Sequence, residues 1–234
     1  MLDFRGVEAL TFDCYGTLID WEAGLRSALR GVLAPNVWRV PDEALLNLYA
    51  RLEARAEREE FREYRVVLRD VLGRLGTLLG VPIRKPDALA DSVRHWPAFP
   101  DTPAALAALA TRFRLCVVSN VDDDLFEWSR AHVVGTGSWT FDQVVTSQQV
   151  RSYKPRKAHF REVVRRLGVP ASRVVHVAQG LYHDIAPARD LGLETVWVNR
   201  QAGRPGATPD AEASASLEVP DLATLARVAA GSVG

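Results

Sequence analysis

Asp13 closes an apolar run, Leu10-Thr11-Phe12-Asp13-Cys14-Tyr15-Gly16-Thr17-Leu18, and in that position a carboxylate can be presented as a nucleophile. Residues Val7 to Phe12 predict a short buried strand, and Gly16 permits a sharp turn just beyond it. An aspartate at the carboxyl end of a parallel strand stands where open α/β sheets bind their ligands. Three further segments carry related signals. The run Leu115-Cys116-Val117-Val118 predicts a strand ending at Ser119 and Asn120, whose hydroxyl, amide and backbone donors can hold an anion. Asp122, Asp123 and Asp124 beyond it read as capping residues of the next helix and stay outside the chemistry. Ser152-Tyr153-Lys154-Pro155 precedes an amphipathic stretch from His159 to Leu167, with Pro155 starting that helix and fixing where Lys154 points. The run Val174 to Ala178 predicts a strand that leads through Gln179 and Gly180 to Tyr182, His183 and Asp184, and Thr195 to Val198 predicts another.

Four such sites in this order, carrying Asp, Ser-Asn, Lys-Pro and Asp, resemble the haloacid dehalogenase superfamily of aspartate-nucleophile hydrolases over nearly the whole chain. The Phe12 to Leu18 segment, the Ser119-Asn120 pair and the ending Val196-Trp197-Val198-Asn199-Arg200 look most like its 2-haloacid dehalogenase (type II) branch. The resemblance implies an α/β fold: a Rossmann-like parallel sheet core flanked by helices, with a helical cap inserted after the first strand. It also implies roles. Asp13 attacks the α-carbon of a short 2-haloacid and forms an aspartyl ester. Lys154 keeps Asp13 ionised and binds the substrate carboxylate, and Asp184 activates the water that hydrolyses the ester, with His183 as its substitute. Tyr15, Thr17, Ser119 and Asn120 are the expected substrate-binding and orienting residues.

Elementary chemistry points the same way. Phosphatases of the superfamily carry a second aspartate two residues after the nucleophile, to protonate the departing alkoxide; here that place is taken by Tyr15. A halide leaves without a proton, so a site lacking the acid suits carbon–halogen cleavage. The position of Gln179 is usually an aspartate in the magnesium-dependent phosphatases, and a neutral amide is a poorer ligand for a hard cation. No cofactor is therefore expected, magnesium belonging to the alternative reading of a phosphatase acting on a small phosphate ester. A third reading is a binding protein that retains this fold. A tyrosine of the dehalogenases falls at Phe160, so its hydroxyl is missing.

The elements that must position these groups divide into two textures. Residues 1–19 and 97–234 predict the α/β core domain; residues 20–96, dominated by helical spacing, predict the cap that closes over the strand ends. Arg51, Arg55, Arg62 and Arg65 are the cap candidates for gripping an anionic substrate. Glu53 and Glu57, with Arg51, Arg55 and Arg58, read as a solvated helix face. Trp21, Trp38, Phe61 and Tyr64 are core aromatics that could also wall off the halide. The 234 residues hold 29 Lys+Arg and 29 Asp+Glu, which implies no broad basic field for nucleic acid or an anionic membrane. Cys14 and Cys116 lie in or beside predicted core strands and suggest neither a disulfide framework nor a zinc site. No apolar run is long enough for a membrane span, and the N-terminus has no cationic segment leading into an apolar one. The expectation is a cytoplasmic protein acting on a small anionic molecule, and the resemblance implies a homodimer.

Overall fold

A computed structural model describes residues 2–33, 39–200 and 212–231. Trp38 and the segment Gln201 to Pro209, a loop by its Gly and Pro composition, lie outside the described residues.

The strands are β1 (Ala9–Phe12), β2 (Arg114–Ser119), β3 (Gln143–Thr146), β4 (Val174–Ala178), β5 (Glu194–Val198) and β6 (Leu217–Val219). They form one parallel sheet in the order β3-β2-β1-β4-β5-β6. The chain winds outward from β1 in one direction and then returns to β1 to wind in the other, so β1 marks the point where the order reverses. Crevices open there, beyond the carboxyl ends of the strands. Phe12 pairs with both Val117 of β2 and Val177 of β4, which brings the residues that follow all three strands to one edge.

Side chains of period two serve both faces of the sheet. Leu10, Phe12, Leu115, Val117, Val175 and Val177 share a core with Leu106, Leu125 and Leu225, whereas Ala9, Cys116, Val118 and Val174 pack with Phe160, Val163 and Ala188. Helices α1 (Trp21–Leu33), α2 (Asp42–Arg58), α3 (Tyr64–Leu79) and α4 (Ala88–Ser92) all fall between β1 and β2. They precede α5 (Thr102–Ala110), with α6 (Asp123–Val134), α7 (Ser147–Val150), α8 (Ala158–Leu167), α9 (Ala186–Arg189) and α10 (Leu222–Gly231) completing the chain. The Ala-rich α5 covers the sheet as its spacing predicts. Both cysteines are buried and free. No helix of the described residues is long and apolar enough to cross a membrane.

Two strands, β3 and β6, were not foreseen. Both are short edge strands, and β6 presents only Val219 as a buried residue, so neither prints a strong apolar run. The helix expected to start at Pro155 begins instead at Ala158. Pro155 lies in a turn closed by the Arg156 N–H donating to Tyr153 O at 3.1 Å, and its bond to Lys154 is cis.

Candidate active site

Asp13 leaves the end of β1 with its N–H donating to Val177 O at 3.1 Å. The chain then folds into a tight loop in which the Leu18 and Ile19 N–H groups donate back to Cys14 O at 2.7 and 2.9 Å. Gly16 makes this loop possible with a φ of +96°, a conformation in which a side chain is strained, and an added Cβ would lie 3.2 Å from Gln179 Oε1. Thr17 Oγ1 donates to Asp13 Oδ2 at 2.7 Å and accepts from the Gln179 N–H at 2.9 Å. Thr17 is thus buried beneath the nucleophile and does not line the cavity, in contrast to its expected place among the substrate contacts. Arg200 secures the same loop by donating to Thr17 O through Nε and Nη2 at 2.9 and 2.7 Å, while its Nη1 meets Asp101 at 3.0 Å.

Lys154 reaches the opposite side of Asp13. Its ammonium donates to Asp13 Oδ1 at 2.8 Å, Asp184 Oδ1 at 2.6 Å and Val118 O at 2.9 Å, which uses all its donors. Asn120 holds the lysine's backbone, accepting from its N–H at 2.7 Å and donating to its carbonyl at 3.2 Å. Asp184 sits on a wide helical turn, Leu181–Ile185, where the Ile185 N–H reaches Gly180 O at 3.1 Å. Its Oδ1 also faces His176 Nε2 at 3.1 Å, and His176 Nδ1 lies 2.9 Å from Thr11 Oγ1. Sequence reasoning missed His176, although a histidine inside the apolar run of β4 was its signal.

The electrostatics follow from one cation shared by two buried acids. Burial raises the Asp13 carboxyl above its ordinary value, and the Asp184 charge adds to this against the pull of Lys154. Burial opposes ionisation of Asp184 too, but Lys154 and His176 outweigh it and hold that carboxyl well below the usual range. Burial alone would lower the Lys154 pKa; Asp13 and Asp184 together raise it, so the ammonium stays charged. His183 lines the cavity, and burial pulls its pKa down to about 4.

Above this floor lies a cavity of about 100 Å³. Of the expected site residues, Asp13, Tyr15, Ser119, Asn120, Lys154 and Asp184 all line it. Tyr15 turns its hydroxyl away to Ser129 Oγ at 2.9 Å and sets its ring edge-on to Trp96, with centroids 5.5 Å apart. Trp21, Tyr64 and Trp96 complete an aromatic wall, whereas Phe61 packs on Tyr153 instead. Trp96 was missed because its segment reads as a proline-rich connector.

The helical side corrects two expectations. Arg51 and Arg55 are exposed. Arg62 pairs with Glu59 and Asp70, Arg65 pairs with Asp91 and Asp124, and none of these four arginines lines the cavity. In their place α2 presents Ala50, Glu53, Ala54 and Glu57, spaced as one helix face, so the two glutamates are not the solvated residues the charge pattern suggested. Asp122 also departs from its expected role: its side chain makes no bond capping its own helix and instead accepts from the Tyr64 and Arg65 N–H groups, each at 2.8 Å, capping α3.

Among the described residues no group of three or more His, Cys, Asp or Glu side chains is placed to hold a metal ion. Asp13 Oδ1 and Asp184 Oδ1 are both bound by the Lys154 ammonium, and Gln179 offers no charge.

Residues 7–192 match the family model of haloacid dehalogenase-like hydrolases. The chain is 24% identical over 215 residues to (S)-2-haloacid dehalogenase of Pseudomonas putida, covering 85% of this chain and 87% of the relative. It is 35% identical over 127 residues to haloacid dehalogenase-like hydrolase domain-containing protein 3 of Danio rerio, and there it spans only 51% of the relative and 50% of itself. Phosphoserine phosphatase of Thermus thermophilus is 33% identical over 132 residues, or 55% of this chain and 50% of the relative. The solved L-2-haloacid dehalogenase from Xanthobacter autotrophicus with chloropropionic acid covalently bound shares the fold, with a TM-score of 0.79 and 22% identity over 96% of this chain and 99% of that one.

Proposed function

This chain belongs to the haloacid dehalogenase-like hydrolases, and from that premise we propose that it hydrolyses a carbon–halogen bond of a short 2-haloacid through an ester on Asp13. An Asp13 carboxylate oxygen attacks the α-carbon, the carbon–halogen bond breaks, and the halide departs with the bonding electrons. Asp184 then accepts a proton from water as the water attacks the ester carbonyl. The 2-hydroxy acid leaves with the oxygen that belonged to Asp13 and takes up the proton held by Asp184, while the new Asp13 carboxyl, carrying an oxygen from water, loses its remaining proton to solvent. In this reading residues 20–96 act as the cap, excluding water from Asp13 until the ester has formed. Ser119 and Asn120 stand at the substrate side, and Thr17 holds the nucleophile in place.

The observation that carries the proposal is the Lys154 ammonium bridging Asp13 and Asp184, with Tyr15 rather than an acid two residues after the nucleophile. Lys154 supplies the positive charge that the cluster needs, and burial keeps the Tyr15 phenol protonated with its hydroxyl directed at Ser129. Such a site sets a cation against the nucleophile, whose ionisation burial opposes, and offers the first leaving group no proton, which a halide tolerates and an alkoxide does not. No metal enters any of these steps.

The test is halide release from L-2-chloropropionate in EDTA, run beside phosphate release from an aryl phosphate with magnesium. Chloride release that persists in EDTA and vanishes in Asp13→Asn is the expected result. Phosphate release alone would transfer the protein to the magnesium-dependent phosphatases.

A further inference from the structure

Among the described residues the roof of the cavity carries two carboxylates and no arginine. Glu53 Oε1 accepts from the Tyr49 hydroxyl at 2.7 Å and also from the Tyr64 hydroxyl. The two phenol oxygens also lie 3.2 Å from each other, so the three groups form one hydrogen-bonded cluster with Glu53 Oε1 as its shared acceptor. One helical turn on, Glu57 Oε2 receives only a long contact from Asn120 Nδ2 at 3.4 Å, and both glutamates line the cavity. Burial, with the Glu53 charge adding to it, pushes the Glu57 carboxyl well up, so a cation brought to the roof would be met by a group whose ionisation it favours.

On the other side, Ser119 Oγ is fully buried, lines the same cavity and has no hydrogen-bond partner among the described residues. A hydroxyl of this kind, lining a cavity, is free to bond to a molecule bound there. That molecule spans a floor with one ammonium already engaged by two acids and a roof with two more acids. Arg58 and Arg156 line a neighbouring cavity that Glu57 also borders, and neither lines the one above Asp13. A plain 2-haloacid monoanion leaves Glu53 and Glu57 facing a methyl group.

We infer that the substrate presents an ammonium or similar N–H donor to Glu53 and Glu57, making it a zwitterionic 2-haloacid with an amine further along its carbon chain. This deepens the dehalogenase reading and rests on it. The halogenated carbon meets Asp13, Ser119 and Asn120 supply donors on the core side, and the amine meets the roof. Ala50 and Ala54, also on that face of α2, leave room for a chain longer than propionate.

Two pairs of isosteres separate the roof from the chemistry. Calorimetry compares 4-aminobutyrate with pentanoate, which differ by an ammonium for a methyl and contain no halogen. Halide release compares 4-amino-2-chlorobutyrate with 2-chloropentanoate. The expected result is tighter binding of the amine by about tenfold or more, the scale of a charge-assisted hydrogen bond. Glu57→Gln, its fold checked by thermal melting, should erase most of that preference, and kcat/KM should favour 4-amino-2-chlorobutyrate in parallel. Equal or tighter binding of pentanoate, no binding of either compound, or a preference unchanged in Glu57→Gln would overturn the inference. A binding preference without halide release from either chloride would leave the cation-binding roof standing and remove the dehalogenase reading.

Discussion

In the floor of the cavity Asp13, Ser119 and Asp184 stand at or just beyond the ends of β1, β2 and β4, where paired register leaves little choice about where side chains go. In the roof the groups belong to one face of α2, and Arg51 and Arg55, two residues from the glutamates and so about 200° around the helix, stand on its opposite, exposed face. The floor holds a fully bonded charge cluster suited to one kind of bond making. The roof holds a less constrained pair of acids beside small residues. The contrast teaches that in this chain the reaction is written into the sheet, whereas the choice of substrate is written into how a helix is turned.

The largest effect expected from disturbing the floor is that of Lys154→Met. It leaves Asp13 and Asp184 buried without their cation, a loss of about 3–5 kcal/mol, and abolishes turnover. Thermal melting should show a fall of roughly 6–20 °C in a chain of this size. A variant that melts like the parent would mean that the cluster is not the electrostatic unit described here. Gly24→Ala strikes the seam between floor and roof, since its Cβ would stand 2.4 Å from the Trp96 ring, and overpacking of this kind costs about 1–3 kcal/mol. Its activity should fall with its stability, because Trp96 walls the cavity. Asp122→Ala removes the cap that the end of β2 provides to α3, at a cost of about 0.5–2 kcal/mol by denaturant unfolding. The smallest effect should come from Arg51→Ala. That side chain is exposed, so stability should stay within about 0.5 kcal/mol and KM should not move. A large rise in KM would show that α2 turns its arginine face inward during turnover.

What could be read before the structure follows the same division. The strands β1, β2, β4 and β5 announce themselves as apolar runs, and the residues after them could be named because a strand end is a definite place. Asp13, Asn120 and Asp184 converge on Lys154 for that reason, Lys154 itself being marked out by the proline that follows it. His176 was passed over because a lone polar residue in a buried strand reads as noise until its partner Asp184 is seen 3.1 Å away. Asp122 was assigned to its own helix because a capping residue identifies a helix start without saying which one, and the start of α3 is distant in sequence. Glu53 and Glu57 were misassigned because i,i+4 charge spacing predicts a solvated face equally well for a helix that turns that face to a cavity. Tyr49 stands one turn before Glu53 on α2, whereas the Tyr64 hydroxyl reaches Glu53 from α3 and leaves no local pattern.

The covalent role of Asp13 shows in where the water oxygen goes in a single turnover. Enzyme in excess over 2-chloropropionate, in water enriched with the heavy oxygen isotope, should yield unlabelled 2-hydroxypropionate and a heavy oxygen in the peptide that contains Asp13. That follows because the product takes an Asp13 oxygen and the ester is broken at its carbonyl. Label in the first-turnover product with none in Asp13 would show that water attacks the substrate carbon directly, and would contradict the covalent role assigned to Asp13.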